Sequence, residues 1–406
     1  MKPTRWSSRM PSGLLFVTCL LPLLSPGLLA GDPPRQRAGD GEAAPATGRV
    51  IAIGDVHGDF DSFFRLLRSL GLVGPGGGWQ GGTARLVQTG DLLDRGAHSR
   101  RVVELLMRLE KEAREAGGRV TVLLGNHEVM NLTGDLAYVS AGEFAAFARD
   151  EEPEFREEKR RAILSLTRDG HPLLSSDYYA GLGRVVQARN FDRVFPRGYF
   201  AHRRAFSPGG KIGRWLLERD VVHVDGGTLF VHGGLDAAHG RVPAREINRL
   251  HREALKTYFR AVKRLEELGV FDGSLGITEL GILYRSELAA GGPHPDLAAA
   301  FADLKSLFEG PLLAEDGPLW YRGLAQGNER LLAPALGRTL TFQGVDRVVV
   351  GHTRHRSLAV RGRFGGRVIL IDTGMNRKVY GGRPSALLVE ADGRLSVFEP
   401  PAGGGP

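Results

Sequence analysis

A chain of 406 residues with 42% apolar side chains can bury a large core, and its single cysteine, Cys19, rules out a disulfide framework. Its 54 basic and 46 acidic residues leave a net charge of +8, modest for this length. No Lys/Arg block is interleaved with aromatic residues, so the balance gives no reason to expect a nucleic-acid partner.

Residues 1–30 begin with Lys2, Arg5 and Arg9, continue into the apolar run 14–24 and end at Leu28-Leu29-Ala30. That is the pattern of a secretory signal peptide, and Pro22 and Pro26 interrupt the run too early for a membrane span. An uncleaved anchor is one alternative. Lipidation of Cys19 is another, which Val17-Thr18 before it disfavours. The expected address is the periplasm, after export across the inner membrane and with no membrane span once the leader is removed. Cleavage after Ala30 removes the cysteine and three basic residues, leaving a net charge of +5. Catalysis through a cysteine nucleophile is thereby excluded.

Residues 31–48, rich in Gly, Pro and charge, read as a disordered linker, and 401–406 as a tail. No second linker interrupts 49–400, which reads as one catalytic domain. Apolar runs predict strands at 49–53, 84–89 and 119–124, alternating with helices at 60–70 and 99–116. The Gly-rich stretch 74–82 lacks the Lys-Ser/Thr ending of a phosphate loop and reads as a mobile surface loop. Residues 131–219 turn helical and charged and read as an inserted cap. Strand character returns over 220–234, helices are predicted at 244–268 and 276–288, and closing strands at 347–350, 368–371, 386–390 and 395–399. The order predicts an α/β fold with two packed mixed sheets and helices outside.

Chemistry concentrates where strands end. Gly54-Asp55-Val56-His57-Gly58, Gly90-Asp91-Leu92-Leu93-Asp94-Arg95-Gly96 and Gly125-Asn126-His127-Glu128 each follow a predicted strand, and Val231-His232-Gly233-Gly234 and Gly351-His352-Thr353 repeat the pattern. A phosphate ester repels an anionic nucleophile, and two divalent cations relieve this by acidifying a water and clamping the phosphate oxygens. Asp55 and His57 are candidate ligands of a first metal, Asp91 is the candidate bridge, and Asn126, His232 and His352 complete a second. A set of Asp, Asn and His without thiolate suits manganese or iron, with zinc possible. His127 is placed to protonate the leaving oxygen, with Asp94 orienting it. Arg95 is the candidate phosphate clamp and Arg322 a second one, because a guanidinium matches phosphate bidentately. Asp372 is a candidate orienter of a ligand, and Trp320 and Tyr321 pocket wall or core. His98, His202, His223 and His355 read as surface or packing residues.

These five blocks, in this order, resemble the phosphoprotein phosphatase superfamily of calcineurin-like metallophosphoesterases. Gly125-Asn126-His127-Glu128-Val129-Met130-Asn131, Gly134-Asp135, Ile371-Asp372-Thr373-Gly374-Met375 and Tyr380-Gly381-Gly382 look like the bacterial-type Shewanella-like phosphatases. The resemblance implies a calcineurin-like β-sandwich flanked by helices and the same metal-ligand roles. It implies His127 with Asp94 as the acid pair, and Arg95 and Asn126 at the substrate. It further implies hydrolysis of phosphoproteins or phosphopeptides by direct attack of a metal-bridging hydroxide, with phosphotyrosine preferred and phosphoserine or phosphothreonine open; a monomer is expected. Leu124 stands where the animal serine/threonine enzymes of the family have Arg, and their later Arg motif and Tyr loop are not found. Arg322 therefore rests on charge and position, and regulatory-subunit docking does not carry over. Two other functions remain open. A diadenosine-tetraphosphate-type hydrolase tends to have Asp and Ala where this chain has Glu128 and Gly233, and a catalytically dead phosphate-binding protein would show degraded ligands.

Overall fold

The computed structural model describes residues 35–37, 48–167, 171–179, 181–183 and 190–401. The signal peptide reading (1–30), most of the linker reading (31–48) and most of the tail lie outside them.

Eleven strands form two sheets among the described residues. They are β1 (Arg35–Arg37), β2 (Val50–Ile53), β3 (Arg85–Gln88), β4 (Arg119–Val122), β5 (Val222–Asp225), β6 (Thr228–Val231), β7 (Arg347–Val350), β8 (Arg361–Arg363), β9 (Val368–Leu370), β10 (Ala386–Val389) and β11 (Leu395–Glu399). One sheet has the order β1-β11-β10-β2-β3-β4, the other β5-β6-β7-β9-β8. Both are mixed, and in each a parallel trio carries the site: β2-β3-β4 and β6-β7-β9. The edge strand β1 differs from the linker reading. Its three residues pair parallel with β11 and cover an edge whose backbone groups would otherwise be unpaired.

Alternation along the strands builds two cores. Val50, Ala52, Val87, Phe230, Val349, Ile369 and Leu387 form one apolar cluster between the sheets. Their neighbours Ile51, Ile53, Leu86, Val231, Val348 and Leu370 belong to the cluster shared with the helices. Burial on both faces explains why these strands read as continuous apolar runs. Helix Phe60–Ser69 buries Phe63, Leu66 and Leu67 there, and Asp59 caps it by accepting the Ser62 N–H at 3.1 Å. Helix Ser99–Glu115 adds Val102, Val103, Leu106 and Leu109.

The glycine-rich loop is tied down rather than free. Val73 and Trp79 form an antiparallel bridge, the Trp79 N–H donates to Glu112 at 2.8 Å, and Arg108 donates to the Gly77 carbonyl at 2.8 Å.

Between β4 and β5 the described residues hold helices and no strand. A second helical stretch, between β6 and β7, packs on it. The Tyr258 hydroxyl donates to the Thr133 carbonyl at 2.7 Å, the Tyr199 hydroxyl to the Ser274 carbonyl at 2.9 Å, and Arg203 to the Gly273 carbonyl at 3.3 Å. The cap thus has two halves, of which the sequence reading assigned only 131–219. Strand β8 was also missed, since Arg361-Gly362-Arg363 carries no apolar signal and is defined by its hairpin partner β9. Among the described residues no helix is long and apolar enough to cross a membrane.

Candidate metal centre

The two parallel trios end at one rim, as expected for ligand sites beyond the carboxyl ends of parallel strands. Asp55 and His57 follow β2, Asp91 follows β3, Asn126 and His127 follow β4, His232 follows β6, His352 follows β7 and Asp372 follows β9. The turns there are tight. His57, Asp91, Asp94, Arg95 and His352 all have positive φ, between 48° and 69°, a conformation rare for residues with a side chain. Gly90 has φ 93°, and a Cβ there would meet the Gly125 nitrogen at 2.3 Å, so the two loops can cross only at glycine.

Two donor groups share one carboxylate. His57, Asp91 and His127 present ligand atoms within 4.8 Å of one another, and so do Asp91, His232 and His352. The position read as the bridge is the member common to both. Asn126 joins the second group through its Oδ1, 3.0 Å from His232 Nε2. Asp55 lies beside the first group, with Oδ2 3.9 Å from His57 Nε2, and its carboxylate accepts the His352 N–H at 3.1 Å. Backbone carbonyls fix the imidazoles. His57 Nδ1 bonds Leu93 O at 3.0 Å and His232 Nδ1 bonds Thr89 O at 2.9 Å, which turns each Nε2 inward. His352 Nε2 is shielded from solvent and has no hydrogen-bond partner among the described residues.

The electrostatics suit a cation. Burial raises the Asp55 carboxyl well above its ordinary value, with Asp372 and Asp91 adding repulsion. Burial also lifts Asp372 to about 6. Burial would raise Asp91 too, but His232, His127 and His57 prevail and hold it well below the usual range. His232 is pushed up to about 9, against burial, by Asp91 and Asp55. A divalent cation held by the same carboxylates would remove that preference and leave His232 neutral, as a ligand must be. Burial lowers His57 to about 3 and His352 to about 2, leaving both neutral as ligands must be. Orphaned imidazole nitrogen, clustered carboxylates and a purely N/O donor set all fit two divalent metals.

Around the donors, His127 Nδ1 lies 2.6 Å from Asp94 Oδ2, and Asn131 Nδ2 donates to Asp94 Oδ1 at 2.9 Å. Burial disfavours the charged imidazole, yet Asp91 and Asp94 raise its pKa above the ordinary value. A cavity of about 210 Å³ opens over these groups, lined by Arg95, Arg322, Arg354, Tyr138 and Tyr380 among others. Arg95 lies 4.6 Å from the Tyr138 ring centre and 5.4 Å from that of Tyr380. Arg322 donates through Nη1 to His352 O at 3.2 Å and to Thr353 Oγ1 at 3.0 Å, leaving Nη2 and Nε for other partners. All ten sequence-predicted site residues therefore converge here. His355 does not line the cavity; it is partnered by Ser357.

Sequence reasoning gave no role to Glu128, Arg354, Tyr138 or Tyr380. Glu128 Oε2 accepts the N–H of Asp91 and of Gly125, both at 2.7 Å, and Oε1 accepts the Leu92 N–H at 2.8 Å. Its place at the end of Gly-Asn-His-Glu was the available signal. Arg354 directly follows Gly-His-Thr and lies 3.7 Å from the Tyr380 ring centre. Tyr138 has no local signal, since it reaches the site from the cap side.

Residues 48–355 match the Calcineurin-like phosphoesterase family. An uncharacterized protein of Schizosaccharomyces pombe is 31% identical over 356 residues, covering 86% of this chain and 80% of its own length. Shewanella-like protein phosphatase 2 of Arabidopsis thaliana is 27% identical over 353 residues, covering 86% and 77%. Among solved structures, the cold-active protein-tyrosine phosphatase of a psychrophilic Shewanella species aligns with a TM-score of 0.53 at 24% identity, over 87% of this chain and 80% of that one. That structural likeness bears on the fold.

Proposed function

The chain belongs to the calcineurin-like phosphoesterase family, and on that premise we propose that it is a dinuclear-metal phosphoprotein phosphatase, acting on phosphotyrosine in preference to phosphoserine or phosphothreonine. The observation that carries this reading is the sharing of Asp91 between two donor groups beneath an arginine-lined cavity. Asp55, His57 and Asp91 would hold one metal, and Asp91, Asn126, His232 and His352 the other. Manganese or iron is the expected pair, with zinc compatible. Bound there, the metals would acidify a water and neutralise phosphate oxygens.

The chain's own residues supply the rest. Glu128 gathers three backbone N–H groups and so holds the Asp91 turn in place. Arg95, kept between Tyr138 and Tyr380, and Arg322 offer guanidinium N–H groups to the phosphate. His127, oriented by Asp94, delivers a proton to the leaving oxygen. The Tyr preference is supported by the likeness to the Shewanella protein-tyrosine phosphatase and by the chemistry of the leaving group. A phenol of pKa about 10 departs more readily than an aliphatic alcohol. Periplasmic export and action as a monomer belong to the same proposal, the first supported by the pattern of residues 1–30.

The test is manganese-dependent turnover of a phosphotyrosine peptide, a phosphoserine peptide and diadenosine tetraphosphate, with Asp91→Asn as control. Tyrosine-peptide turnover that disappears in the control supports the reading. Turnover of the dinucleotide alone replaces it with a nucleotide hydrolase. Two bound metals with no turnover of any substrate would replace it with a binding protein.

A further inference from the structure

A second cavity, of about 640 Å³, lies between the two halves of the cap. That volume is within the range of small-molecule sites. Phe155, Phe200, Tyr258, Phe259 and Val262 give it an apolar floor. Its walls carry Lys159, Arg203, Arg204, Arg260 and Lys263, against Glu266 as the one carboxylate among the lining residues.

Four of these cations have carboxylate partners outside the lining: Asp272 for Lys159, Glu152 for Arg204, Asp303 for Arg260 and Glu267 for Lys263. The pairs of Arg204 and Lys263 are solvent-screened and constrain their cations weakly, whereas Asp303 holds Arg260 bidentately at 2.9 and 2.8 Å. Arg203 is different. It is 7% exposed, and its Nη groups donate to the carbonyls of Asn131 at 2.7 Å and Gly273 at 3.3 Å. Its Nε, shielded from solvent, has no hydrogen-bond partner among the described residues, and Glu279 is a half-buried carboxylate close enough to feel its charge. A buried guanidinium beside an apolar floor is complementary to an anion with a hydrocarbon body.

The same Arg203 touches the catalytic helix. Asn131, whose carbonyl it holds, donates through Nδ2 to Asp94 Oδ1 and to the His127 carbonyl, both at 2.9 Å. Tyr258, from the cavity floor, ties down the Thr133 carbonyl at the end of that helix.

We propose that the cavity binds a single-chain amphipathic carboxylate, with its head at Arg203 and its chain on the aromatic floor, and that occupancy tightens helix Asn126–Thr133. Neither half depends on the phosphatase reading, because both are measured without turnover.

The experiment is calorimetric titration of the full chain with laurate, dodecyl phosphate and dodecanol, each below its aggregation concentration, followed by amide hydrogen exchange over residues 126–133. Saturable laurate binding is expected, with dodecanol at least about tenfold weaker. Ser207→Trp, at a lining position, and the exposed charge reversal Lys263→Glu should each weaken laurate several-fold. These sites lie outside the donor groups, so they leave the fold and metal binding in place. Saturating laurate should slow exchange in the helix. Absent saturation, equal affinity for dodecanol, or indifference to Ser207→Trp overturns the site. Tighter binding of dodecyl phosphate overturns the carboxylate head, and unchanged exchange overturns the coupling.

Discussion

Substituting Glu128 by Gln isolates what holds the shared carboxylate in place. Asp91 sits at φ 56°, a conformation costing about 1–3 kcal/mol for a residue with a side chain, and its N–H is held by Glu128 Oε2 at 2.7 Å. The substituted amide keeps one acceptor oxygen and turns an NH₂ toward backbone donors. With the amide oxygen at the Oε2 position, the Leu92 bond is lost and the bonds to Asp91 and Gly125 become neutral. One charge-assisted bond removed (about 1.5–3 kcal/mol) and two weakened give a loss of about 2–4 kcal/mol. With about 2.1 cal/mol/K per residue over ~350 folded residues, the unfolding entropy is about 0.7 kcal/mol/K, so Tm should fall by about 3–5 °C in chelator. Metal affinity should fall by about 10–100-fold, because support for a ligand is lost while the ligand remains. Scanning calorimetry of the metal-free protein and manganese titration followed by calorimetry measure the two effects separately. A Glu128→Gln variant with unchanged Tm and unchanged manganese affinity would refute the argument that this carboxylate holds the Asp91 turn.

Replacing Asp94 by Asn leaves His127 without its 2.6 Å carboxylate partner, and kcat should drop by about 10²–10⁴. The loss should be greater for phosphoserine peptide than for p-nitrophenyl phosphate, whose leaving group needs no proton; equal losses would argue against His127 as the acid. Arg95→Lys keeps the charge but removes the planar fork that faces Tyr138 and Tyr380, so KM should rise about tenfold, and an unchanged KM would remove Arg95 from the phosphate site. His202 packs against Phe147 and Phe206 with neither ring nitrogen hydrogen-bonded among the described residues, and burial, helped by Arg203, lowers its pKa to about 3. Because the folded protein disfavours the proton, this group's contribution is complete above pH 6.5 and is lost as pH falls toward 3, with a slope of at most about 1.4 kcal/mol per pH unit. His202→Phe should flatten that part of the stability–pH curve and raise Tm at pH 7, and an unaltered acid slope would reject the assignment.

The donor set was legible because each ligand stands at the end of an apolar strand and beside a glycine, so local sequence carried both the chemistry and the geometry. Asp91, His232 and His352 are far apart in the chain, yet the parallel pairing of β2-β3-β4 and β6-β7-β9 delivers them to one rim. What stayed hidden depends on contacts between distant segments. Tyr138 reaches Arg95 from the cap, and nothing in Leu136-Ala137-Tyr138 marks it as a site residue. The partnership of Arg203 with Asn131 spans 72 positions, and only the packed helices reveal it. Strand β8 and the edge strand β1 are set by their partners rather than by their own residues.

Five residues of the site hold positive φ, and a loop left to itself would relax from such a conformation. The surroundings prevent relaxation in specific ways. The amides of Val56 and His57 donate to the Asp91 carbonyl, the Gly96 amide donates to the His57 carbonyl, and Asn376 donates to that same carbonyl at 2.8 Å. The β2 and β3 loops are thereby stitched to each other, while Asn376, beyond β9, fastens the pair to the second sheet. The apolar layer of Val50, Ala52, Phe230 and Val349 in turn fixes how the two sheets face each other. Ligands from both sheets must meet within a few ångströms, so a loosened sheet interface would separate Asp91 from His232 before it unfolded the protein. Val349→Ala, buried between the sheets and not itself a ligand, should therefore lower metal affinity together with stability; thermal destabilisation without any loss of affinity would show that the loops keep their geometry independently of the sheets.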